Sequence, residues 1–115
     1  MKVFKIQELL DLELVAGGNG LDRNVTGGYC GDLLSDVIAN SMEGSVWIGV
    51  QRHKNIIAVA VLKELSAIIL VNGQNPDEDT RIKADEEDLP ILVSQLSAYE
   101  LAGRLFEAGI GKEAG

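Results

Sequence analysis

Asp22, Arg23, Thr26, Gly27 and Gly28 lie within the stretch GGNGLDRNVTGGYCGDLLSDV, residues 17–37, which holds six of the thirteen glycines and the only cysteine. An arginine fork can hold a phosphate or carboxylate bidentately. Paired glycines just ahead of a helix present free backbone N–H groups at the positive end of its dipole. The P-loop pattern fails because no Lys-Ser/Thr follows the last glycine. The dinucleotide fingerprint fails because Arg23 stands where the third glycine of Gly18-Asn19-Gly20 should follow. Two readings therefore stand side by side. In one, Gly27 and Gly28 open a helix, and with Arg23 they bind a small anion against the competing charge of Asp32. In the other, the glycines only permit positive φ and close packing, while Asp22 and Arg23 tie the turn to the body.

No other residues form a catalytic set. His53 is the only histidine, set in the polar turn QRHKN, and reads as an exposed loop residue. Cys30 has no histidine near it in sequence and reads as a core thiol. Ser35-Asp36 and Ser94 lack a base to activate a hydroxyl. One histidine and one cysteine offer no metal cage, so neither metal nor cofactor is expected, and the chain is not expected to be an enzyme.

A single domain spanning residues 1–115 follows from the length. Its core runs over about residues 4–110, and 111–115 form a frayed tail. The formal charge of −8 repels phosphate backbones and argues against nucleic acid. The acids of DEDTRIKADEED, residues 77–88, read as a solvated helix face. No apolar run reaches membrane-spanning length, MKVFKIQELL lacks a signal-peptide pattern, and one cysteine suits a reducing compartment. A cytoplasmic location, away from membranes, is expected.

These side chains must be positioned by a small set of elements. Ile6, Leu9 and Leu10 predict a helix over 5–12, followed by a short strand in LELVAGG. Leu33, Leu34, Val37 and Ile38 predict a second helix, with Asp32 as its N-cap. SVWIGV reads as a buried strand. NIIAVAVL is apolar on every side; Asn55 as a cap favours a helix, too apolar to face water alone. Trp47, Ile69 and Leu92 centre three strands 22 and 23 residues apart, each followed by a helical pattern. Asn75-Pro76 opens one of these helices. The capping box Ser97-x-x-Glu100 opens the last, which carries Leu101, Ala102, Leu105 and Phe106 and stops at Gly109 with Ile110 beyond. The expected fold is α/β: a layered sheet with at least three parallel strands from successive βα units, plus short glycine-rich strands near the N-terminus. Ligands of such sheets bind at the carboxyl ends of the strands, where Asn72, Gly73 and Ser94 fall.

LDRNVTGGYCGDLLSDVI resembles the signature of the DRTGG domain family at Asp22, Arg23, Thr26, Gly27 and Gly28. VWIGVQ, AIILVNG and PILVSQLSAYELAGRLFEAGI extend the likeness over about residues 4–110. The resemblance implies a fold similar to the N-terminal domain of HPr kinase/phosphorylase, without that enzyme's P-loop. It also implies a regulatory or subunit-association role, as in phosphate acetyltransferases and CBS-containing pyrophosphatases. The expectation is a non-catalytic, ligand-sensing module that forms a homodimer and takes a small anionic metabolite or nucleotide. The ligand residues expected are Asp22, Arg23, Thr26, Gly27, Gly28, Asn72, Gly73 and Ser94. The alternative is a protein-interaction adaptor for a signalling kinase, phosphatase or other enzyme, working without a small ligand.

Overall fold

The computed structural model describes residues 1–111. Of the expected frayed tail, residues 112–115 lie outside those described. The elements are α1 (Val3–Leu10), β1 (Glu13–Ala16), a short 3-10 turn (Gly18–Gly20), β2 (Gly27–Cys30), α2 (Leu34–Asn40), β3 (Ser45–Gly49), α3 (Asn55–Leu62), β4 (Ala67–Leu70), α4 (Glu78–Glu86), β5 (Ile91–Val93) and α5 (Ala98–Glu107). The five strands form one sheet in the order β1-β5-β4-β3-β2. β2 to β5 run parallel, and β1 joins β5 antiparallel with an irregular register between Leu14 and Ala16.

From β2 to β5 each strand is laid beside its predecessor in the same direction, so right-handed crossovers place α2, α3 and α4 on one face. Val37, Ile56, Ile57, Ala60 and Ala84 of these helices pack there on Trp47, Ile68, Leu70 and Ile91. The other face falls to the two helices outside the crossovers. Val3 and Ile6 of α1 with Leu101 and Leu105 of α5 pack on Val46, Ile48, Ile69 and Leu92. Alternate residues of each strand thus enter different cores, which is why the strands read as continuous apolar runs. The expected parallel α/β sheet is what the chain forms.

Local signals resolve less uniformly. α1 starts two residues earlier than its apolar spacing suggests: Ile6 is buried and Leu9 is 52% exposed. NIIAVAVL is a helix, but α3 buries Ile56, Ile57, Val59 and Ala60 within its own chain, so its hydrophobicity does not itself require a partner. Lys54 rather than Asn55 is its N-cap residue, and α4 begins after Asp77 rather than at Asn75-Pro76. α2 is capped by Leu33, with Asp32 engaged elsewhere, and Leu33 itself is 69% exposed. Only α5 carries the expected side-chain cap, Ser97 Oγ accepting from the Glu100 N–H at 3.3 Å. Glu100 turns forward to Arg104 at 3.4 Å instead of back to the cap. Past α5, Gly109 takes φ 103° and Ile110 is buried.

Candidate functional site

In a parallel sheet, the two ends of the strands differ in chemistry. Of the eight sequence-predicted residues, Asp22, Arg23 and Thr26 precede β2, at the amino end, and Gly27 and Gly28 begin that strand. Asn72, Gly73 and Ser94 follow β4 and β5, at the carboxyl end. Strand order makes these opposite ends, so the structure does not bring the eight into one site.

The amino end is built from backbone contacts. Arg23 donates from Nε to the Asp88 carbonyl and from Nη2 to the Glu87 carbonyl, each at 3.2 Å. Those carbonyls terminate α4, where Asp88 is left-handed at φ 51°, and a guanidinium there also suits the negative end of the helix dipole. Thr26 donates its hydroxyl to the Glu43 carbonyl at 2.8 Å and its N–H to the Gly44 carbonyl. Asp22 is exposed. Gly20 explains the glycine run: a Cβ there would lie 2.1 Å from the Asp88 carbonyl oxygen and 2.8 Å from Pro90 Cδ, so only glycine lets the turn meet the α4–β5 corner. Gly27 and Gly28 are strand residues paired with Ser45 and Val46. They do not stand at a helix start, and the anion cradle read there from sequence is not formed, because β2 and a further loop intervene before α2.

The carboxyl end is a rim of four loops laced side by side. Asp32 Oδ1 accepts from the N–H groups of Val50 (2.8 Å) and Gln51 (3.2 Å), and the Trp47 indole donates to the Gly31 carbonyl at 2.8 Å. The Arg52 carbonyl accepts from the Asp77 N–H and the Thr80 hydroxyl, while the Arg52 guanidinium reaches the Asn75 carbonyl and, at 3.7 Å, Asp77. Asn72 and Gly73, both left-handed at φ 56° and 68°, donate their N–H groups to the carbonyls of Leu96 and Ser94. Ser94 is buried and its hydroxyl accepts from the Leu96 N–H at 3.1 Å. Several of the rim's backbone amides are thus engaged, and the side chains of Asn72, Gln95, His53 and Lys54 are all exposed beside them. His53 is the surface loop residue expected.

Sequence reasoning passed over Arg52, His53 and Lys54 as a group. Their signal was present: three adjacent basic-type residues in a chain of charge −8, immediately before a helix. Placing them beside Asn72 needed the strand order, which periodicity does not carry.

Clefts occur elsewhere. One of about 270 Å³ lies between β2 and α5, lined by Gly28, Cys30, Ala102, Phe106 and Ile110, and an open groove continues along α5 past Tyr99. Cys30, expected in the core, is exposed on β2. Partial burial, and then Asp32, push its thiol up from the ordinary value, the opposite of what a nucleophile needs. Tyr29 hydrogen-bonds the Asp36 carboxylate, which pushes the phenol up to about 12. No described helix is long and apolar enough to cross a membrane.

No family model matches the sequence, and no curated protein sequence does. Among solved structures, the fold is similar to that of the CBS and DRTGG domains of the regulatory region of Clostridium perfringens pyrophosphatase, solved in complex with the activator diadenosine tetraphosphate. The TM-score is 0.67 at 16% identity, and the match covers 90% of this chain. The chain spans 45% of that neighbour's length. At this identity the likeness establishes a shared fold.

Proposed function

We propose that this chain is a non-catalytic, DRTGG-like regulatory module that senses a small anionic ligand of the nucleotide class, acting as a cytoplasmic homodimer. The observation that carries the reading is the fold shared with a regulatory region crystallised with a nucleotide activator. It draws nothing from the HPr kinase resemblance. Of the residues expected to bind, Asn72 is assigned to contact with the ligand, joined by His53 and Lys54, while Gly73 and Ser94 shape the loops that hold it. Asp22, Arg23, Thr26, Gly27 and Gly28 are assigned to the scaffold.

Two features support this placement. The carboxyl edge of a parallel sheet is where such folds take ligands, and the exposed Lys54 at the α3 N-terminus supplies a cation there. The test is a thermal-shift panel of adenine and guanine nucleotides, diadenosine tetraphosphate and pyrophosphate. A ligand at a hundred times its dissociation constant stabilises by about 2.7 kcal/mol, which for this length is a shift of roughly 10 °C. Lys54→Glu and Asn72→Gly, the latter keeping the left-handed backbone at that position, are expected to abolish the shift while leaving the unliganded melting temperature close to unchanged. A flat panel would sink the sensing reading, and a shift indifferent to both variants would sink its location.

A further inference from the structure

The two edges of the sheet are protected very differently. β1 is irregular between Leu14 and Ala16 and begins with the exposed Glu13; irregularity and charge are the usual means of blunting an edge. β2, Gly27-Gly28-Tyr29-Cys30, has no charge, no proline and an unbroken register with β3. The Gly31 N–H donates to the Ile48 carbonyl, and Cys30 is paired with Ile48. In a parallel ladder this phase turns the N–H and C=O of Gly28 and Cys30 outward, and both residues are exposed. Beside them, where two helices must cover one whole face, α5 leaves the cleft walled by Ala102, Phe106 and Ile110.

We propose that β2 is the seam of the homodimer, pairing antiparallel with the partner's β2 about a two-fold axis at Tyr29. This rests on the dimer reading above and specifies its surface. The pattern is self-complementary. With the axis at Tyr29, Gly28 faces the partner's Cys30 and Cys30 faces the partner's Gly28, so all four outward groups on each strand find partners. The same register sets Thr26 opposite the partner's Asp32, and no like charges meet along it. In a chain of charge −8, residues 27–31 form an uncharged line of approach. The axis stands perpendicular to the sheet, so α5 and the partner's α5 flank the seam on one face, running antiparallel. The result is a continuous ten-stranded sheet.

Three measurements test this. Sedimentation velocity at tens of micromolar is expected to give twice the 12.3 kDa chain mass; a monomer overturns both the dimer reading and the seam. Gly28→Pro removes one outward N–H per copy, at an edge position where proline is tolerated. A Cβ at this position meets only Val46 Cγ2, at 3.9 Å. It is expected to yield a folded monomer, and a folded dimer overturns the seam alone. The double variant Tyr29→Cys, Cys30→Ser places one thiol at the two-fold. A non-hydrogen-bonded antiparallel pair there has its Cα atoms about 4.5 Å apart, within disulfide range. Copper-phenanthroline is expected to oxidise the two thiols to a covalent dimer. A dimer that does not cross-link overturns the register, and this result decides the matter even if Gly28→Pro fails to fold.

Discussion

Arg23→Ala separates a scaffold arginine from a ligand-binding one. In the structure its guanidinium holds two carbonyls at the end of α4, at 3.2 Å each. Hydrogen bonds to a charged group contribute about 1.5–3 kcal/mol when well shielded, and less where water can replace them. Arg23 is half-buried, so about 1 kcal/mol per bond, or about 2 kcal/mol in all, is the reasonable magnitude. Unfolding entropy of roughly 2.1 cal/mol/K per residue gives about 0.24 kcal/mol/K for this length, hence a fall of about 8 °C in Tm. Arg23→Lys is expected to recover only part of that, because one ammonium cannot span both carbonyls as a fork does. Thermal unfolding followed by Trp47 fluorescence and far-UV circular dichroism reads the change. The nucleotide panel on Arg23→Ala is expected to show the wild-type shift above a lower baseline. A variant that keeps its Tm within about 2 °C but loses the ligand shift would refute the scaffold assignment and return Arg23 to the binding site.

The remaining expectations follow from single contacts. Gly20→Ala forces a Cβ to 2.1 Å from the Asp88 carbonyl and should cost roughly 1–3 kcal/mol or more, read as a lower urea midpoint at unchanged slope. Tyr29, pushed up to about 12 chiefly by its hydrogen bond to Asp36, keeps its proton in the folded state when the unfolded chain has begun to lose it. Stability therefore falls as pH rises from about 10 to about 12, and Asp36→Asn should bring the phenolate absorbance transition back down. Glu43 is raised by a hydrogen bond shared with Glu64 and then by that group's charge. The folded protein thus binds the extra proton, and stability drops as pH rises through the carboxylate range. Glu43→Gln should flatten that slope in pH-dependent melts. Ser41 buries a hydroxyl with no partner among the described residues, so Ser41→Ala should leave stability unchanged or raise it by up to about 1 kcal/mol, measured by urea unfolding.

The order and kind of the main elements were legible from local pattern alone. Trp47, Ile69 and Leu92 mark three parallel strands because a strand buried on both faces must be apolar throughout, and the helices between them were legible in kind although Asn55 and Asn75 are not their caps. Family resemblance singled out Asp22, Arg23, Thr26, Gly27 and Gly28, and composition singled out the glycine-rich stretch. Neither says which end of the sheet those residues occupy. That depends on β2 pairing with β3 rather than preceding α2 directly, and strand pairing is a contact between segments many residues apart. The same long-range choice made Cys30 an exposed edge residue and turned Asp32 from a helix cap into an acceptor for Val50 and Gln51. It also set QRHKN beside Asn72. Periodicity is written within a few residues, and so the sequence by itself determined the kind and order of the main elements and the apolar centres of the strands. Which ends face together, and which edge stands open, is decided only when the strands close side by side, because a sheet's neighbours are set by packing and not by order along the chain.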